Sequence, residues 1–66
     1  MTIKINGKAR IINEKTSILE LLRGLGLQSD RVVVEYNFRV VPLEEWKDII
    51  LEENGNLEIV SFVGGG

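Results

Sequence analysis

Thr16-Ser17-Ile18-Leu19-Glu20-Leu21-Leu22, running on through Leu25 to Gly26, decides how this 66-residue chain folds. Ser17 and Glu20 have the S-x-x-E spacing of a capping box. The serine hydroxyl caps the amide three residues on, and the glutamate reaches back to the serine amide. Ile18, Leu21, Leu22 and Leu25 recur at helical spacing and form one apolar stripe. Gly24 and Gly26 stop the helix, one of them in the left-handed C′ position, and Leu27 tucks under behind the stop. Everything outside this stretch reads as short strands and turns. One helix among strands is an α+β pattern, and one helix covers only one face of a sheet. The other face meets solvent or a partner.

Upstream, Thr2-Ile3-Lys4-Ile5 alternates polar and apolar, the period of a half-buried strand. Asn6-Gly7 is the strongest short hairpin signal, because both residues tolerate φ > 0. A return strand over Ala9 to Asn13 therefore pairs antiparallel with the first. Ile3, Ile5 and Ile12 are expected on the core side and Ile11 on the other. Downstream, Val32-Val33-Val34 is β-branched and runs as a strand to Tyr36. Asn37-Phe38 turns it into Arg39-Val40-Val41, which Pro42 ends by removing a ladder donor. Leu43-Glu44-Glu45-Trp46 is one helical turn with Trp46 as the anchor under the loop. Asn54-Gly55-Asn56 is a turn. The last strand runs from Leu57 to Phe62, with Leu57 and Ile59 on one face and Val60 and Phe62 on the other.

Composition excludes several kinds of chemistry. The chain has no Cys and no His. Disulfides, thiolate metal sites, cysteine nucleophiles and the commonest general base are therefore absent, and no metal site is expected. A net charge of −2 argues against nucleic-acid binding. No apolar run reaches membrane-spanning length, and the N-terminus has no apolar h-region, so the expectation is a cytoplasmic protein without a signal peptide. Glu44-Glu45 and Glu52-Glu53 read as a solvated face rather than an acid/base pair, and nothing expected from the sequence builds a pocket around them. Gly24-Leu25-Gly26 follows a helix instead of opening one, so it terminates structure and does not cradle phosphate. Lys4, Lys8 and Arg10 form a small basic group near the first hairpin.

The other informative stretch is Val63-Gly64-Gly65-Gly66. Glycine has no Cβ, so these residues adopt nearly any backbone conformation. Four extended residues reach ~13 Å, with a carboxylate at the tip. Two readings stand at this level: a frayed end, or an arm delivered into a narrow active site of another protein. The expected organisation is a domain over residues 1–62 and a tail over 63–66. Ile11, Val60 and Phe62 are a candidate docking patch beside that tail if they cluster on the open face of the sheet, and isolated apolar residues otherwise.

The sum of these motifs resembles the ThiS family, the sulfur carriers of bacterial thiamine biosynthesis. The resemblance is carried by the Asn6-Gly7 hairpin, Thr16 to Leu22, Leu25-Gly26-Leu27, Val40-Val41-Pro42, Glu45-Trp46, Asn54-Gly55-Asn56 before Leu57 to Val60, and the terminal glycines. Family members often have Asn-Gly where this chain has Asn37-Phe38, and Asp-Gly-Asp where it has Asn54-Gly55-Asn56. The stretch from Trp46 to Gly55 is slightly long against the family pattern. The resemblance implies a β-grasp, ubiquitin-like fold: a mixed sheet of about five strands with one main helix packed on one face. It implies a carrier without catalytic side chains or bound cofactor. A ThiF-like enzyme would use ATP to adenylate the Gly66 carboxylate. A sulfur-relay protein would supply the sulfur that converts it to a thiocarboxylate, and a ThiG-like thiazole synthase would consume that sulfur. Gly64 and Gly65 would let the tail thread a channel. A MoaD-like donor for molybdopterin synthesis and a ubiquitin-like modifier or interaction domain are the alternatives.

Overall fold

The computed structural model describes residues 1–62. Its element order is β1 (Thr2–Ile5), β2 (Lys8–Ile11), α1 (Ile18–Gly24), β3 (Val32–Tyr36), β4 (Arg39–Val40) and β5 (Asn56–Ser61), with single 3-10 turns at Ser29–Arg31 and Leu43–Glu45. The strands form one sheet in the order β2-β1-β5-β3-β4. Two antiparallel hairpins flank β5, which runs parallel to β1 and antiparallel to β3. The sheet is therefore mixed, with the first and last strands side by side at its centre.

The turns follow from local chemistry. Asn6 and Gly7 both lie in the left-handed region, at φ 51 and 83. That is what a two-residue hairpin turn matching the twist of its strands requires. Helix α1 opens with both capping-box bonds in place: Glu20 N donates to Ser17 Oγ at 3.1 Å, and Ser17 N donates to Glu20 Oε1 at 3.0 Å. Segment 46–51 supplies the other acceptors. Ile18 N donates to Ile49 O and Leu19 N to Trp46 O, so the helix start leaves no first-turn donor unpaired. At the far end Gly26 takes φ 75, Leu27 N donates to Leu22 O and Gly26 N to Arg23 O. Those two bonds are the Schellman closure. Of the two candidate glycines, Gly26 holds the C′ position and Gly24 is the last helical residue.

Ile18 and Leu22 on the helix join Ile3, Val32, Val34 and Leu57 on the sheet in one buried cluster, completed by Val41, Trp46 and Leu51. Ile5, Ile12, Leu27 and Ile59 pack half-buried around it. Trp46 is 2% exposed, and its indole Nε1 donates to Val41 O at 2.9 Å, so the one polar atom of the anchor is satisfied. Three strand boundaries differ from the sequence reading. The last strand runs Asn56–Ser61, one residue earlier at each end than Leu57 to Phe62. The second strand is Lys8–Ile11, because the chain leaves the ladder after the Met1–Ile12 exchange. Val41 lies beyond the fourth strand, where it is buried and donates to Val34 O.

Candidate functional site

Strand β5 carries the chain toward the four terminal residues, and its neighbours fix the point of departure. On one side β3 pairs with it as far as Val32–Ser61, and Phe62 N adds a bond to Arg31 O at 3.0 Å. On the other side β1 ends earlier, and Asn6 replaces the missing ladder. Its Oδ1 accepts from Ile59 N at 2.7 Å, and its Nδ2 donates to Ile59 O at 3.1 Å. A side-chain amide presents the same donor and acceptor as a peptide unit, which is why asparagine serves here. The last strand is thus held on both sides to Ile59 and on one side to Phe62. Val63, Gly64, Gly65 and Gly66 lie outside the described residues.

The open face beside this exit is apolar with an acidic flank. Val33 and Val60 are direct cross-strand partners, 44% and 60% exposed, and Phe62 follows two residues on at 49%. Next to them Glu35 and Glu58 stand directly opposite each other. Like charges in register oppose sheet formation. Val40, paired with Glu35, continues the face toward the outer edge.

Ile11 is 86% exposed and on the same face, but it is not beside Val60 and Phe62. It pairs with Thr2, and Lys4 pairs with Asn56. Ile11 therefore lies two residues before the level of Asn56 and Val60 four residues past it, roughly 20 Å apart along the strands. Alternation gives the face correctly; register separates the candidates. The residue that does join Val60 and Phe62 is Val33. Its signal was present in the run Val32-Val33-Val34, which alternation divides into two core residues and one outward residue once the register is known.

Among the described residues, no group of three or more acidic side chains is placed to hold a metal ion. Hydrogen bonds from the Ser17 backbone and side chain hold the Glu20 carboxyl below the ordinary glutamate value. It belongs to the helix cap, away from the sheet exit. Among the described residues, no helix is long and apolar enough to cross a membrane.

Two antiparallel hairpins joined through a central parallel pair, with one helix on one face, define a β-grasp domain of the ubiquitin-like kind. The ThiS family model matches residues 3–66. The sulfur carrier protein ThiS of Bacillus subtilis is 32% identical over 65 residues, 97% of this chain and 98% of that protein. A thiazole synthase of Paramagnetospirillum magneticum is 36% identical over the whole chain, which spans only 20% of that protein's length. In three dimensions the chain is similar to the crystal structure of the thiamine biosynthesis protein ThiS from Geobacter metallireducens. The TM-score is 0.85 at 30% identity, with all of both chains covered. The chain belongs to the ThiS family of sulfur carriers.

Proposed function

We propose that this chain carries sulfur for assembly of the thiazole of thiamine, with Gly66 as the site of modification. The observation that carries this reading is the reach of the family match, which continues from the folded domain to the last glycine. A carboxylate resists nucleophiles because its charge opposes them. In the proposed reaction the Gly66 carboxylate oxygen attacks the α-phosphorus of ATP on a ThiF-like enzyme and pyrophosphate leaves. The outer sulfur of a relay protein's persulfide then displaces AMP to give an acyl disulfide. Attack of a thiol on the relay-side sulfur breaks the S–S bond, leaves a disulfide with the relay cysteine and releases the terminal thiocarboxylate. A ThiG-like thiazole synthase takes that sulfur. Thiazole synthases that contain a segment similar to this chain support such a partner. The chain itself acts as a co-substrate rather than an enzyme, in the cytoplasm, and ATP is bound by its partner. The absence of Cys and His agrees with that division of labour. Val33, Val60 and Phe62 supply an apolar docking surface next to the exit. Gly64 and Gly65 keep the last residues slim enough for a narrow channel.

The test is top-down mass spectrometry after incubation with a ThiF-type enzyme, ATP and a sulfur source. An oxygen-to-sulfur exchange localised to Gly66 is expected. The mass must be mapped, because Met1 oxidation adds nearly the same amount. An unmodified Gly66 with an enzyme that activates its own carrier would overturn the proposal. Gly65→Trp should fold and fail to be adenylated, and normal activation of that variant would remove the channel argument.

A further inference from the structure

Strand β2 forms one edge of the sheet, with no strand on its outer side among the described residues. Its backbone polarity follows from the hairpin register. Ile12 N donates to Met1 O at 2.8 Å and the Met1 amine donates to Ile12 O at 2.9 Å, so Met1–Ile12 is a hydrogen-bonded pair. Pairs alternate along an antiparallel ladder, which makes Ile3–Arg10 and Ile5–Lys8 bonded and leaves Ala9 and Ile11 facing outward. The donors on β1 agree, since Lys4 N turns the other way, to Gly55 O on the far side. Ala9 and Ile11 thus present two N–H and two C=O groups at the sheet edge.

The side chains give that edge a chemical preference. Lys8 and Arg10 pair with Ile5 and Ile3, so they project on the helix side, whereas Ala9 and Ile11 project on the open side. Among the described residues the one ion pair is Arg39–Glu45, so both edge cations lack an ionic partner there. Arg10 lines a groove of about 330 Å³ between β2 and α1, together with Ile12, Leu21 and Leu25. Glu20 also borders this groove, but its carboxylate is turned back onto the Ser17 amide. The groove therefore sets these three apolar side chains, the polar Asn13 and Thr16 and one cation, Arg10, beside the edge strand, with Lys8 further along the same strand.

We propose that the β2 edge takes an extended acidic segment of a partner protein as a sixth strand. Acidic residues would stand opposite Lys8 and Arg10, with their stems over Leu21 and Leu25, and apolar residues opposite Ala9 and Ile11. Main-chain bonds to Ala9 and Ile11 give affinity, and the alternating side chains give selectivity. A second copy of this chain is disfavoured by charge. Antiparallel pairing centred on Arg10 sets Arg10 against itself, and pairing centred on Ala9 sets Lys8 against Arg10. The surface is distinct from the tail exit and from Val33, Val60 and Phe62, so a partner could hold the carrier without covering either.

The probe is N-acetyl-Val-Glu-Val-Glu-Val-amide, titrated into the isotope-labelled full chain and followed by amide chemical shifts. Saturable shifts at Ala9 and Ile11 are expected, weakened by salt, with no comparable binding of the peptide in which Lys replaces Glu. Ala9→Pro removes an outward donor at an edge position that tolerates proline. It should lower affinity about five- to tenfold while the core resonances stay in place. Arg10→Glu should lower it by roughly fivefold and shift the preference toward the Lys peptide, an independent readout should the proline variant not fold. The proposal is overturned if β2 is unmoved at millimolar peptide, if both peptides bind alike, if Arg10→Glu leaves the preference unchanged, or if dilution without peptide shows self-association through this edge. In those cases Lys8 and Arg10 only guard the edge against pairing.

Discussion

Replacing Gly55 by alanine should destabilise the domain, although the usual rule gives the opposite sign. Gly55 does not occupy the left-handed region. At such a site an alanine ordinarily stabilises by ~0.4–1 kcal/mol, because it restricts the unfolded chain. Here the space is taken. A Cβ at position 55 would stand 2.7 Å from Tyr36 Oη, 2.8 Å from Tyr36 Cε1 and 3.0 Å from Glu52 O. The phenol cannot swing aside freely, since its hydroxyl accepts a 2.8 Å bond from Glu52 N. Relieving the clash means losing that bond, ~0.5–1.5 kcal/mol, and straining the packing, ~1–3 kcal/mol. After the unfolded-state gain the net cost is about 2 kcal/mol. A 66-residue domain has a total of roughly 3–10 kcal/mol. The melting temperature should fall by about 8–16 °C, read by circular dichroism alongside urea denaturation. Tyr36→Phe alone should cost ~1 kcal/mol, by loss of the same bond. The double variant should be less destabilised than the sum by about 1 kcal/mol, because the unpinned ring can shift. A Gly55→Ala protein as stable as the parent, or a strictly additive cycle, would refute the reasoning.

Other expectations rest on single contacts. Trp46→Phe leaves the buried Val41 carbonyl without its donor and should cost ~2–4 kcal/mol in urea denaturation. Phe38 lies at φ 70 and is 83% exposed. The left-handed region costs a bulky residue ~1–2 kcal/mol, so Phe38→Gly should be neutral to about 1 kcal/mol stabilising, where truncation of a buried Phe would cost ~3–5 kcal/mol. Ser17→Ala should cost ~1 kcal/mol by loss of the cap. Because the Glu20 carboxyl is held below its ordinary value, its contribution is complete above the unfolded-state pKa and disappears as pH falls through the folded-state pKa. Glu20→Gln should therefore flatten the acid limb of a stability–pH curve and leave the neutral and alkaline limbs parallel to the parent.

What the sequence disclosed, and what it did not, divides along the range of the interactions. The Ser17–Glu20 box, the Asn6-Gly7 turn and the Gly26 helix stop each depend on neighbours within five residues, and each appears as read. Asn37-Phe38 was legible as a turn, but not as one that forces a phenylalanine to positive φ, because nothing local in Phe favours that region. The 3-10 turn at Ser29–Arg31 carries no cap bond and no buried residue, so it left no pattern to read. The adjacency of β1 and β5 joins residues more than fifty positions apart. Local periodicity is silent about it, and only the family resemblance supplied it.

The same division explains the docking surface. Period-two alternation tells which face a side chain takes, and it placed Ile11, Val60 and Phe62 together on the face away from α1. A patch also needs a shared position along the strands, and that coordinate is set by register across three strands. Register follows from Asn6 bonding Ile59, from Lys4 meeting Asn56 and from Val33 meeting Val60. Those pairings put Val33 beside Val60 and leave Ile11 about 20 Å away, next to the edge whose cations favour an acidic strand. Val60→Asp should therefore weaken engagement of an adenylating partner while leaving peptide binding at β2 intact, and Ile11→Asp should do the reverse. If both substitutions impair the same binding event equally, the two surfaces are one, and the separation argued from register is wrong.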